Sequence, residues 1–81
     1  RPLLSATIGC WVAESEVADL LGATERAHEG CQIGSYPFFR EGRTGANFVV
    51  RSTDQDRLDA CMASLTAGLE QGGWPVHPGG I

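Results

Sequence analysis

Between Leu4 and Val12 every second residue is apolar, and from Val17 onward apolar residues recur every three or four. This change of period limits the chain more than any other feature. Leu4, Ala6, Ile8, Cys10 and Val12 share one face of an extended segment, with Ser5, Thr7, Gly9 and Trp11 on the other. That pattern is a strand with one buried face. Val17, Leu20, Leu21, Thr24 and Ala27 then keep helical spacing, which predicts an amphipathic helix from Glu14 to His28. Glu14 and Glu16 complement its positive N-terminal end, and Gly30 supplies a stop.

Cys31 to Tyr36 reads as a short strand that Pro37 ends, because proline brings no N–H to a ladder. Phe38 to Gly45 is then a long, Gly- and Arg-rich connection. Ala46 to Ser52 alternates again, with Ala46, Phe48 and Val50 opposite Asn47, Val49 and Arg51, so the two strands form a hairpin. Thr53 followed by Asp56 resembles a capping box, Leu58, Cys61, Met62, Leu65 and Leu69 mark the stripe of a second helix, and Gly72 and Gly73 end it. The order β-α-β-β-α predicts an α+β two-layer sandwich: a three-stranded mixed sheet in order 1-3-2 with both helices on one face, a ferredoxin-like or KH-like half-sandwich lacking its last strand. Residues 1–73 are read as one accessory domain and 74–81, WPVHPGGI, as a tail anchored at Trp74 and Val76. The start at RPLL, without Met, reads as a fragment of a longer protein.

A chain of 81 residues buries only about 60% of its unfolded surface, so a large catalytic cleft is not expected. Ten acids against six bases, all arginine, give a net charge of -4; this repels polyphosphate unless the arginines gather on one face, so nucleic acid is not an expected partner. Cys10, Cys31 and Cys61 are an odd set without C-x-x-C spacing, which suits packed, reduced thiols. There is no apolar run of the roughly 20 residues that span a bilayer and no signal-peptide pattern. The expected location is cytoplasmic, with no membrane partner. His28 and His77 have no suitably spaced ligand partners, and Ser5, Ser15 and Ser52 have no nucleophile-elbow glycines. Neither a metal ligand nor a catalytic residue is predicted.

The remaining candidates lie in IGSYPFFREGRTGANFVVRST, residues 33–53. Arg40, Arg43 and Arg51 offer guanidiniums for a phosphate or carboxylate; pairing of Arg40 and Arg43 with Glu41 and solvent is the blander alternative. Gly42-Arg43-Thr44-Gly45 matches the G-x-x-G of KH modules, though there the loop joins helices. Tyr36, Phe38 and Phe39 form an aromatic cluster, either closing the end of the sheet or serving as a stacking platform or docking surface. Phe38 and Phe39 are adjacent and must point to opposite sides of an extended chain. At least one ring is therefore expected to stand exposed beside Arg40.

The stretch IGSYPFFREGRTGANFVVRSTDQDRLDACMASL, together with AESEVADLL at residues 13–21, resembles the C-terminal portion of the competence/damage-inducible protein A (CinA-like) family, whose N-terminal domain is of the molybdopterin-binding MoaB/MogA type. The resemblance implies a non-catalytic accessory domain that docks on the N-terminal domain of the same chain, contributes to assembly or a homo-oligomer, or covers that domain's ligand site. It further implies that molybdopterin or a nucleotide belongs to the parent protein, with no cofactor in this segment. Alternatives are a small anion- or nucleotide-binding module, or part of an ADP-ribose-type nucleotide pyrophosphatase.

Overall fold

The computed structural model describes residues 2–81. Six elements follow one another: β1 (Leu4–Cys10), α1 (Glu14–Ala27), β2 (Gln32–Arg40), β3 (Arg43–Ser52), α2 (Gln55–Gln71) and β4 (His77–Pro78). They form a four-stranded sheet in the order β2-β3-β1-β4, and every adjacent pair is antiparallel. Both helices pack on one face. Val17 of α1 and Leu58, Cys61, Leu65 and Leu69 of α2 share a core with Ile8, Cys10, Phe48 and Val50. The strand residues of this core are the alternating apolar positions that the sequence marks.

The expected three-stranded mixed sheet is corrected in two respects. The α1 crossover does leave β1 and β2 running in the same direction, but β3 lies between them and opposes both, so among the described residues no parallel pair is formed. The fourth strand comes from the tail: Pro78 and His77 pair with Ile8 and Gly9 on the free edge of β1, and the Gly79 N–H donates to the Thr7 carbonyl at 2.9 Å. The fold is thus the complete β-α-β-β-α-β arrangement rather than a half-sandwich.

The hairpin also differs from the expected long connection. β2 continues through Pro37 to Arg40, and only Glu41 and Gly42, at φ 53° and 72°, separate it from β3. Two consecutive left-handed residues make a type I′ turn, whose twist matches the strands it joins. Pro37 is tolerated because β2 is an edge strand. The Ile33 N–H points away from β3, to Glu25 Oε2 at 2.7 Å, so by alternation residues 35, 37 and 39 also turn their backbone outward. Proline at an outward position loses no ladder bond. Gly42 belongs to this turn and Gly45 to a strand, which removes the KH-like loop reading.

Helix starts are set locally. Glu16 accepts from the Ala13 N–H at 3.1 Å, closing the first turn of α1. For α2 the cap is Asp54, one residue beyond the expected Thr53; its carboxylate accepts from the Arg57 N–H at 3.1 Å, and Ser52 Oγ accepts from the Asp54 N–H at 3.2 Å. Each bond satisfies a donor that the helix leaves unpaired. All three cysteines are buried and free. Burial, reinforced by the neighbouring Cys31, pushes the Cys61 thiol up to about 11, and burial also raises Cys10. Both are neutral packing groups at neutral pH.

Candidate functional site

The sheet face opposite the helices carries the unusual residues. Strand register places Phe38 beside Gly45, Arg40 beside Arg43, Tyr36 beside Asn47 and Gly34 beside Val49, and side chains of directly opposed residues share a face. Trp11 follows β1 one step past the Cys10–Ala46 pair and so lies across Gly45 from Phe38. Because Gly45 has no side chain, the two rings meet above it, with centroids 5.4 Å apart and planes at 78°. A Cβ at Gly45 would lie 2.4 Å from the Phe38 ring. The glycine is therefore the gap that permits the edge-to-face pair.

One row nearer the turn, Arg40 lies over the Phe38 ring at 4.4 Å and Arg43 over the Trp11 ring at 4.1 Å. The two guanidiniums are thus held on aromatic faces, not on Glu41 as the blander alternative would have it. Arg51 is elsewhere. Eight residues along β3 separate it from Arg43, about 27 Å of extended chain, and its Nη2 donates to the Tyr36 hydroxyl at 3.2 Å. This second pair leans over Gly34, where a Cβ would come within 3.2 Å of the Tyr36 ring and 3.3 Å of Arg51. A recess of about 370 Å³ opens beyond Arg51, between Leu3, Gly30, Cys31 and Thr53. Two of its polar groups have partners within the chain: Arg51 Nη2 donates to Tyr36, and the Cys31 thiol donates to the Arg57 carbonyl at 3.3 Å.

Phe39 points to the other side of the hairpin and is 71% exposed, while Phe38 is half-buried and Tyr36 exposed. The reason is reach. Ser35 Oγ donates to Glu14 Oε2 at 2.8 Å, which puts the first turn of α1 level with Ser35. Phe39 lies four residues farther out, about 13 Å beyond, where no helix covers it. The middle of the open face is crossed by the chain's last residues. Asn47 Nδ2 donates to the Ile81 carbonyl at 3.0 Å, and the Ile81 N–H donates to Asn47 Oδ1 at 2.8 Å.

Of the six binding residues expected from sequence, Phe38, Arg40 and Arg43 come together, Tyr36 and Arg51 form a separate pair, and Phe39 stands alone on the opposite side. Trp11 and Gly45 complete the first group and were missed. The signal was present, since Trp11 falls off the apolar face of its strand and Gly45 shares the side of Asn47. Charge is divided between the layers: Glu14, Glu16, Asp19, Glu25, Asp54, Asp56, Asp59 and Glu70 lie on the helices or at the α2 cap, against Arg26 and Arg57. Arg40, Arg43 and Arg51 all lie on the strands.

Residues 2–76 match the family model for the FAD synthase middle domain. This overturns the resemblance to the CinA-like, molybdopterin-binding family. The residues that suggested it form a hairpin and a capped helix start, which are features of the fold and do not separate one family from another. Among curated proteins no sequence matches the chain. A solved structure of formyltetrahydrofolate deformylase from Burkholderia mallei ATCC 23344 is similar in fold, with 22% identity and a TM-score of 0.51. The likeness covers 94% of this chain and 28% of the deformylase chain. Among the described residues no helix is long and apolar enough to cross a membrane, and no group of three or more His, Cys, Asp or Glu side chains is placed to hold a metal ion.

Proposed function

The chain belongs to the FAD synthase middle-domain family, and from that premise we propose that it is a non-catalytic accessory domain of an FAD synthase-type protein, docking through its protruding hairpin on a neighbouring domain of the same protein. The observation that supports this reading is the hairpin tip itself. It carries an uncovered phenylalanine on one side and a ring-and-guanidinium cluster on the other, both beyond the reach of the helix layer. The outer edge of β2 does not favour pairing with another strand, because Glu25 occupies the Ile33 N–H and Pro37 has none to offer. Docking therefore uses side chains rather than backbone.

A single-stranded nucleic acid is a poorer occupant. The rings of Phe38 and Trp11 that could stack on bases are each covered by a guanidinium, and the net charge of -4 opposes a long phosphate backbone.

Phe39→Ser tests the reading. The ring is already in water, so the melting temperature of the 81-residue chain should barely change. Burial of such a ring in a docked state contributes roughly 1.5–3 kcal/mol, so affinity for the remainder of the protein, supplied separately and measured by calorimetry, should fall by about 10- to 100-fold. A variant that melts early yet associates unchanged would make Phe39 a packing residue and remove the docking role.

A further inference from the structure

We propose that Arg40 and Arg43, braced on Phe38 and Trp11, form a diphosphate-binding site at the hairpin tip, of a kind that would take the phosphates of a nucleoside diphosphate. The two arginines are the closing pair of the hairpin and face the same side of the sheet. Like charges directly opposed across two strands are destabilising, and the contacts the structure gives these guanidiniums are to aromatic rings, not carboxylates. Stacking fixes each fork while leaving its N–H edges free to donate, so little side-chain freedom remains to be lost when an anion arrives. A carboxylate has two oxygens and satisfies one fork; a diphosphate presents oxygens to both.

The chain's overall acidity does not oppose this at short range. Eight of its ten acids lie on the helices or at the α2 cap, Glu29 lies in the turn after α1, and the cluster lies on the other face of the sheet, leaving Glu41 in the hairpin turn as the acid nearest in sequence. The stacked rings have their faces occupied, so recognition falls on phosphate and not on the base. The inference rests on the docking reading only in using the same hairpin. The two fail separately, because phosphate binding is read on the 81-residue chain and docking on its association with the rest of the protein.

The test is a titration of nitrogen-15-labelled chain with inorganic pyrophosphate, ADP and adenosine, following the arginine Nε–Hε signals by NMR. Pyrophosphate and ADP should both move the signals of Arg40 and Arg43, whereas adenosine should move neither. Binding by pyrophosphate alone would assign the site to the free anion; binding by ADP as well admits the nucleotide. The double variant Arg40→Ala/Arg43→Ala should weaken binding at least tenfold, about what loss of charge-assisted hydrogen bonds implies. Gly45→Ala, which keeps both charges but displaces the Phe38 ring, should weaken it too, and serves if the double variant does not fold. Three results would overturn the proposal: no movement of either arginine signal, adenosine binding as well as ADP, or variants that bind like the parent.

Discussion

Leu65→Ala should lower the unfolding free energy by about 2–5 kcal/mol, the range for removing a buried leucine and leaving a partly unfilled cavity. Leu65 has no exposed surface and sits on the α2 face that meets Phe48 and Val50 at the centre of the sheet. At 0.05–0.15 kcal/mol per residue a domain of this size holds roughly 4–12 kcal/mol in all. One truncation thus removes a large share. Ser64 is exposed on the same helix, and its replacement by alanine should stay within about 0.5 kcal/mol. Urea unfolding of the two variants side by side checks the assignment; a Leu65→Ala loss as small as that of Ser64→Ala would mean that α2 does not cover the sheet.

Asn47→Ala should cost about 1–3 kcal/mol, counting two lost hydrogen bonds at their usual net worth and the ordering they impose. The Asn47 amide binds both the N–H and the carbonyl of Ile81. The strip it grips runs over Gly9, where a Cβ would meet Asn47 Oδ1 at 2.5 Å and Ile81 at 2.9 Å. Without the amide, the chain after β4 loses its hold on the open face, and β4 keeps its two-residue pairing, the Gly79–Thr7 bond and the packing of Trp74 and Val76 on the core. Hydrogen exchange at the Gly79 N–H should accelerate sharply while the buried N–H groups of β3 follow only the global loss. Unchanged exchange at Gly79 would show that β4 is held by something other than Asn47.

The reach of the sequence was set by what pairing adds to pattern. β1 and both helices are written in apolar spacing, and their inward faces are the ones observed except at Ala27, which the end of α1 leaves exposed, because burial acts on each residue through its own position. From sequence Pro37 reads as a strand end because edge and central strands are not distinguished until the sheet order is known; on the edge, with the backbone of residue 37 turned outward, proline is harmless. The β4 pairing rests on two residues among prolines and glycines, with no alternation to reveal it. Likewise, Tyr36, Phe38, Phe39, Arg40, Arg43 and Arg51 could be picked out as a group, but only strand register shows that Arg51 is far from Arg43. The same register brings Trp11, some 27 positions earlier in the chain than Phe38, against its ring over Gly45. Short motif likeness fared worst, since strand–turn–strand–cap is common to many families.

Hydroxyl-radical footprinting of aromatic side chains, comparing the 81-residue chain with the full-length protein, tests the accessory-domain account most directly. Tyr36 and Phe39 are exposed in the chain by itself and should be oxidised readily there. In the full-length protein Phe39 should be strongly protected at the docked hairpin tip, while Phe48, fully buried in the core, should stay unreactive in both. Equal oxidation of Phe39 in the two samples would contradict the account, because the hairpin would then face water in the assembled protein and the domain would dock elsewhere or not at all.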